Sequence, residues 1–369
     1  MEKARRSCHH AHFVHQSAAS LNNYVMREER TLMCHSLIGH YRLILICVLA
    51  ICCVVIATGC GQEDMVRQDI APVEQPEAIS DTEPVVVEPE EPAYETFNPS
   101  GAMEHIRTLS VDIGYRPGGT EAEHLATAYI KDSFRETGYE NVHEQTFVLD
   151  NGLTSYNVYV EDKGSDPEWT VIIGAHYDSA GGTGSPGAND NASGIALVLE
   201  LARIFKTNVN TPTLRFVAFG CEEILEDYGK DSHHYGSRYM ANHLVDIEGN
   251  TIGMISIDMV GVGNTLYANA TLKAPSTMTD IFMSSSQQAN IPVVFRQDPG
   301  WSDHEAFEGH GISSVWVEYR DDPYYHSPQD SFDKVNSALV SQAGKLIQDF
   351  LEGLTPEDCQ MLDSVSTYR

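Results

Sequence analysis

Thr170–Gly194 reads TVIIGAHYDSAGGTGSPGANDNASG. An apolar run, Val171-Ile172-Ile173-Gly174-Ala175, stops at His176-Tyr177-Asp178. A loop rich in Gly, Ser and Pro follows, then Asn189-Asp190-Asn191 and a second apolar run. The pattern predicts strand, loop, helix. A short all-apolar strand bounded by turn residues suits the centre of a sheet covered on both faces. In open α/β sheets, ligands gather beyond the C-terminal ends of the strands. His176 lies just past such an end, and Asp190 at the start of the predicted helix. A neutral imidazole and a carboxylate delivered to one edge are candidate ligands for a divalent metal.

Strands and helices alternate on both sides of this stretch. Upstream, Gly101–Leu109 and Thr120–Thr137 read as helices, the second closed by Gly138. Val142–Leu149 and Tyr156–Glu161 alternate as strands around the turn Asp150-Asn151-Gly152. Downstream, Asn191–Lys206 is a predicted helix and Thr213–Gly220 a strand. Tyr235–Leu244 is helical and Thr251–Asp258 a strand. Short strands follow at Thr265–Asn269 and Val293–Phe295, with a helix at Ser276–Gln288 between them and a helical turn at Ser302–Phe307. Ser313–Tyr319 is a strand and Asp333–Leu351 a closing helix. The class is therefore α/β: a mixed, mostly parallel central sheet with helices on both faces. No repeat of fixed period is present.

The strand ends repeat the opening observation. Cys221-Glu222-Glu223 follows one strand, Asp258 ends another, and Tyr324-Tyr325-His326-Ser327 comes after the last. With His176 and Asp190, two imidazoles and several carboxylates converge on one edge. Repulsion among that many buried carboxylates is costly without cations. Two divalent ions ~3.5–4 Å apart, sharing one carboxylate, resolve it and suit amide hydrolysis by a bridging hydroxide.

The order and spacing of these segments resemble the co-catalytic zinc aminopeptidases, the peptidase family that includes glutaminyl cyclases and glutamate carboxypeptidase. The resemblance runs through Gly101–Leu354. It is carried by HYDS (His176–Ser179), GANDNASG (Gly187–Gly194), Glu222-Glu223, IDMVG (Ile257–Gly261), SDHEAF (Ser302–Phe307) and YYHSPQDSFDKV (Tyr324–Val335). It implies a zinc exopeptidase-like fold and two Zn2+ per chain. By resemblance, Asp190 bridges the ions, His176 and Asp258 complete one, and Glu223 and His326 the other. Glu222 is then the general base, Asp178 orients His176 through its second nitrogen, and Tyr325 donates to the oxyanion. His233 and His234, in a polar insertion at Glu226–Tyr235, are not expected to be ligands. Ser302-Asp303-His304 is assigned no metal, and Cys221 is read as packing.

The implied activity is hydrolysis of the N-terminal bond of peptides with a free amine. Glutaminyl cyclisation is the alternative on the same fold. Its last His typically follows a Trp, whereas His326 follows Tyr325. A carboxypeptidase-like member needs basic residues for a substrate carboxylate, and Arg296 and Arg320 keep that open. A non-catalytic binding relative usually loses ligands or the base, and here all are kept.

The 53 acidic and 23 basic residues give a net charge of -30, a poor match to nucleic acid phosphates. Six of the eight cysteines stand at or before Cys60, so no disulfide framework is expected; a Cys221–Cys359 bridge stays open. Leu43–Ala57 is continuously apolar after Arg42 and is followed by Thr58-Gly59-Cys60. That resembles a bacterial lipoprotein signal with Cys60 as the lipidated residue, the alternative being an uncleaved signal anchor. Residues 61–99 form an acidic, Pro-rich linker. The expected organisation is an N-terminal extension and signal at 1–60, this linker, and a zinc peptidase domain at 100–369, held outside the cytoplasm on a membrane.

Overall fold

The computed structural model describes residues 95–225 and 231–368. The predicted signal with Cys60, and the linker up to residue 94, lie outside the described residues. Among the described residues no helix is long and apolar enough to cross a membrane.

Eight strands build one sheet: β1 (His143–Val148), β2 (Thr154–Asp162), β3 (Asp166–His176), β4 (Pro212–Phe219), β5 (Asn250–Ile257), β6 (Thr265–Ala270), β7 (Val293–Gln297) and β8 (Ser314–Arg320). Their order is β1-β2-β4-β3-β5-β8-β6-β7. The inner four, β4, β3, β5 and β8, run parallel. β1 and β2 extend one side in antiparallel register, and β6 joins β8 antiparallel on the other. The expected mixed, mostly parallel centre is therefore present.

The helices are α1 (Pro99–Arg107), α2 (Glu121–Glu136), α3 (Ser193–Phe205), α4 (Tyr235–Asn242), α5 (Thr277–Gln288), α6 (His304–Gly309), α7 (Ser337–Glu352) and α8 (Pro356–Val365). Side chains of a strand alternate between faces. Accordingly Val171, Ile173 and Ala175 of β3 join the core under α1, α2, α3 and α7. Ile172 faces the other way, into the core made with Met240 and Ala241 of α4 and Ala306 and Phe307 of α6. Both faces are covered, which is why β3 can be apolar from Val171 to Ala175; the buried Arg215 at the centre of β4 is paired with Glu161 at 2.6 Å.

Several elements differ from the sequence expectation, three of them for a visible local reason. The helix expected from Asn191 starts at Ser193. Asp190 and Asn191 are non-helical (φ/ψ −111°/88° and −136°/45°), because Asn191 bonds outward to Ile257 of β5 instead of continuing a helical ladder. α7 starts at Ser337, not Asp333, because the Asn336 side chain caps it by accepting from the Ala338 N–H. α8, absent from the expectation, opens with Thr355 and Asp358 capping each other's backbone N–H. Residues placed in the linker also join the fold: Phe97 is 3% exposed, and its N–H donates to Gln348 of α7. A Cβ at Gly344 would collide with the Phe97 ring, so the glycine permits this close approach. Cys221 and Cys359 are both free, so the bridge left open above is not formed.

One buried acid ties α2 to the sheet. Glu123 accepts from the Gly119 N–H (2.6 Å) and the Ser155 hydroxyl (2.5 Å) and is fully shielded from solvent. Burial, then the nearby Asp178 charge, pushes its carboxyl up to about 8. The unfolded chain therefore gives up this proton at ordinary carboxylate pH, while the fold keeps it. Stability carried by Glu123 is present in acid and is lost as pH rises toward about 8. Glu123→Gln removes that dependence. The stability of the variant relative to wild type should rise between about pH 5 and 8 and then level off. Urea titrations across that range check it; a difference independent of pH would refute it.

Candidate metal centre

Because the inner strands are parallel, their C-terminal ends share one edge, and each brings one part of the site. His176 ends β3, Glu222 and Glu223 follow β4, Asp258 follows β5, and His326 lies in the loop after β8. Asp190 comes from the wide turn Ala188–Ala192 between β3 and α3. Its Oδ1 is 3.3 Å from His176 Nε2, and its Oδ2 is 3.1 Å from His326 Nε2. Asp258 Oδ1 lies 3.4 Å from His176 Nε2, and Glu223 Oε1 lies 3.0 Å from His326 Nε2. The donors fall into two groups, His176–Glu222–Asp258 and Asp190–Glu223–His326, each within 4.8 Å. Asp190 faces both groups, one oxygen to each.

The turn carrying Asp190 is fixed by its neighbours. The Asn189 side-chain oxygen accepts from the Gly261 and Val262 N–H groups, and the Asn191 oxygen from Gly194 and Met259. The Asp330 carboxylate accepts from the backbone N–H of Asn189 (2.7 Å) and Asp190 (3.1 Å). Buried Arg116 donates to the carbonyls of Tyr177, Pro186 and Gly187, pinning the loop between His176 and Asp190. Asp178 accepts from the N–H groups of Glu222 (2.9 Å) and Glu223 (3.2 Å). Its Oδ1 is also 3.3 Å from His176 Nδ1, without hydrogen-bond geometry. Asp178 thus lies beside His176 as expected and in addition anchors the paired glutamates. Four of the seven described non-glycine residues with positive φ adjoin the site: Cys221, His234, Met259 and His326. Such left-handed backbone costs about 1–2 kcal/mol per residue; here it turns the chain sharply where the side chains must converge.

The site is acidic, and its carboxylates are buried. Burial, then Asp190, pushes Glu223 up to about 8. Burial likewise raises Asp258. Burial would also raise Asp190, but the His176 and His326 imidazoles outweigh it and hold this carboxyl below its usual range. Burial opposes a charged His326, yet Asp190 and Glu223 bring it up to about 10. Glu223 Oε1 and Asp258 Oδ1 are buried with no hydrogen-bond partner. Orphaned carboxylate oxygens beside imidazole nitrogens, in a set of N and O donors, are the donor chemistry that a divalent zinc accepts.

All the residues expected at the site are at this edge. Tyr325 stacks on His326 (ring centroids 3.7 Å apart) at the rim of a cavity of about 900 Å³ lined by Asp190, Glu222, Glu223 and Asp258 together with Trp301, Trp316 and Arg320. His304 is paired with Asp298 at 3.0 Å and is in neither donor group. His233 and His234 are in neither group, as expected, but His234 contacts Glu222. Asn189, Asn191, Arg116 and Asp330 were not singled out from the sequence. The two asparagines lie inside GANDNASG and Asp330 inside YYHSPQDSFDKV, but Arg116 gives no signal beyond its turn.

A family model described as peptidase family M28 matches residues 157–351. Aminopeptidase YwaD of Bacillus subtilis is 31% identical over 188 residues, covering 48% of this chain and 39% of that protein. Leupeptin-inactivating enzyme 1 of Streptomyces exfoliatus is 29% identical over 242 residues, covering 64% of this chain and 52% of that protein. The chain thus spans about half or less of the length of these relatives. Among solved structures, BSAP, a zinc aminopeptidase from Bacillus subtilis, aligns with a TM-score of 0.62 at 19% identity, over 71% of this chain and 96% of that one. Bacteroides thetaiotaomicron glutaminyl cyclase aligns with a TM-score of 0.63 at 17% identity, over 71% and 100%. At those identities the likeness carries the fold. The family match spans more than half of the 369 residues and includes all six residues of the two donor groups, so the chain belongs to peptidase family M28.

Proposed function

We propose that this protein is a zinc aminopeptidase holding two ions, acting on peptides with a free N-terminus. The observation that carries this reading is the Asp190 carboxylate, which turns one oxygen to each donor group. His176 and Asp258 would hold one zinc with Asp190, and Glu223 and His326 would hold the other with it. Bound there, zinc supplies Lewis acidity toward the scissile carbonyl and lowers the pKa of the attacking water.

The chain's own groups do the rest. Glu222 takes the proton of the attacking water and passes it to the leaving amine, which needs a carboxylate beside the ions but not spent on them. Asp178 lends its charge to the Nδ1 side of His176 and fixes the backbone under Glu222. The Tyr325 hydroxyl, at the cavity rim, donates to the oxygen that gains charge as the carbonyl is attacked. Burial of Asp190, Glu222, Glu223 and Asp258 lowers the local dielectric and strengthens each of these interactions.

The full-length protein should release free amino acid from unblocked short peptides and leave N-acetylated peptides intact, with all release stopped by a chelator. Cyclisation of N-terminal glutamine without hydrolysis would move the assignment to the cyclase branch. Chelator-sensitive cleavage of acetylated peptides from the C-terminus would move it to a carboxypeptidase.

A further inference from the structure

We propose that His234 is a positioning residue for Glu222, holding one carboxylate oxygen so that the other is presented to the metal centre. This rests on the reading of Glu222 as the proton acceptor.

His234 grips Glu222 twice. Its backbone N–H donates to the Glu222 carbonyl at 2.7 Å. Its side-chain Nε2 lies 2.9 Å from Glu222 Oε1. The remaining oxygen, Oε2, is the one that faces His176 Nε2, at 4.0 Å. A carboxylate with both oxygens free rotates about its last bond. Occupying Oε1 removes that freedom and leaves Oε2 as the acceptor, the orientation that proton abstraction requires.

The histidine is itself held. It is 2% exposed and has φ 53°. Its carbonyl accepts from the Arg238 N–H, the first-turn bond of α4. Its Nδ1 lies 3.8 Å from Glu305 Oε2, beyond hydrogen-bond length but close enough for charge to act. Glu305 is fixed in turn by Lys273 (2.6 Å) and Arg238 (3.5 Å). The His233 ring packs edge-on at 4.0 Å. Service as a metal ligand does not fit, since Nε2 is turned to Glu222 and Nδ1 toward Glu305. A packing role alone does not account for an imidazole here, because burying its polar nitrogens costs free energy that an apolar side chain avoids.

The test uses full-length protein carrying His234→Ala or His234→Gln. His234→Ala should lower kcat about 10–100-fold, the worth of one charge-assisted hydrogen bond. KM and zinc content should stay near wild type. Gln still offers an N–H donor, so His234→Gln should recover most of the loss. In a Glu222→Gln background, His234→Ala should add little, because the two act as one unit. A second readout does not depend on turnover: the 15N–1H signal of the His234 Nε2–H should move on Glu222→Gln. That signal decides the proposal even if the protein hydrolyses no peptide, in which case the aminopeptidase reading fails separately. An unchanged kcat, a loss that tracks loss of zinc, full additivity with Glu222→Gln, or an unmoved Nε2–H signal would each overturn it.

Discussion

Replacing Glu222 by Gln is expected to lower kcat about 10²–10⁴-fold, the usual contribution of a general base, with KM and zinc content near wild type. The substitution keeps the shape of the side chain and removes only its ability to take a proton. The bond from the Glu222 N–H to Asp178 uses the main chain and is untouched. The bond to His234 can be kept through the amide oxygen. The backbone under the residue therefore stays in place, and a loss of rate reports the missing proton acceptor. Zinc content separates the two roles the geometry allows, because Glu222 also lies within reach of His176 and Asp258. If the variant loses zinc along with activity, Glu222 is a ligand and the base must be sought elsewhere. If kcat falls less than about threefold, a change of under 1 kcal/mol, the base assignment is wrong.

The sheet was legible in the sequence because its inner strands are short, mostly apolar runs followed directly by the polar residues of the site. That signal is strong in Val171–Ala175 and Thr213–Gly220, and it placed His176 and the Glu222-Glu223 pair at the right edge. What the sequence concealed is how the edge is held together. Asp190 is not on a helix, because Asn189 and Asn191 spend their side chains on Gly261, Val262 and Ile257, residues about seventy positions away. Short-range pattern cannot reveal a bond whose partner is on another strand. The same applies to Arg116, a residue of an ordinary Pro-Gly turn in the sequence. In the fold its guanidinium is fully buried among carbonyls of the loop that separates His176 from Asp190. In the sequence His234 sits in a polar insertion and carries no mark of a site residue. The insertion returns the chain to Glu222, since the N–H groups of His234, Tyr235 and Gly236 pair with the carbonyls of Glu222, Cys221 and Gly220. The donor types gathered at this edge were thus readable from chemistry and order, while the groups that aim them depend on tertiary pairing.

Asp190→Asn should have the other large effect, and its pattern across both ions tests the bridging role. Asp258 and Glu223 each face one donor group, so Asp258→Asn and Glu223→Gln should each weaken one ion. Asp190 faces both. An asparagine keeps one oxygen and turns an NH2, which cannot ligate, to the other side. Zinc analysis after dialysis should therefore show the Asp190 variant holding less metal than either single-group variant. Activity should fall on the order of 10³-fold or more, the scale set by several kcal/mol of lost Lewis-acid stabilisation. The fold should survive, because Asp330 bonds the backbone N–H of Asp190 and not its side chain. Stability supplies a second check. Zinc binding only the native state raises wild-type stability by about 4 kcal/mol at a thousandfold excess over Kd. A chelator should remove that increment from wild type and change the Asp190 variant little. If the variant keeps the wild-type zinc content and still responds to chelator, Asp190 does not bridge. If it matches Glu223→Gln in both measurements, Asp190 serves only the group of Glu223 and His326, and the first ion must be held by His176, Asp258 and Glu222.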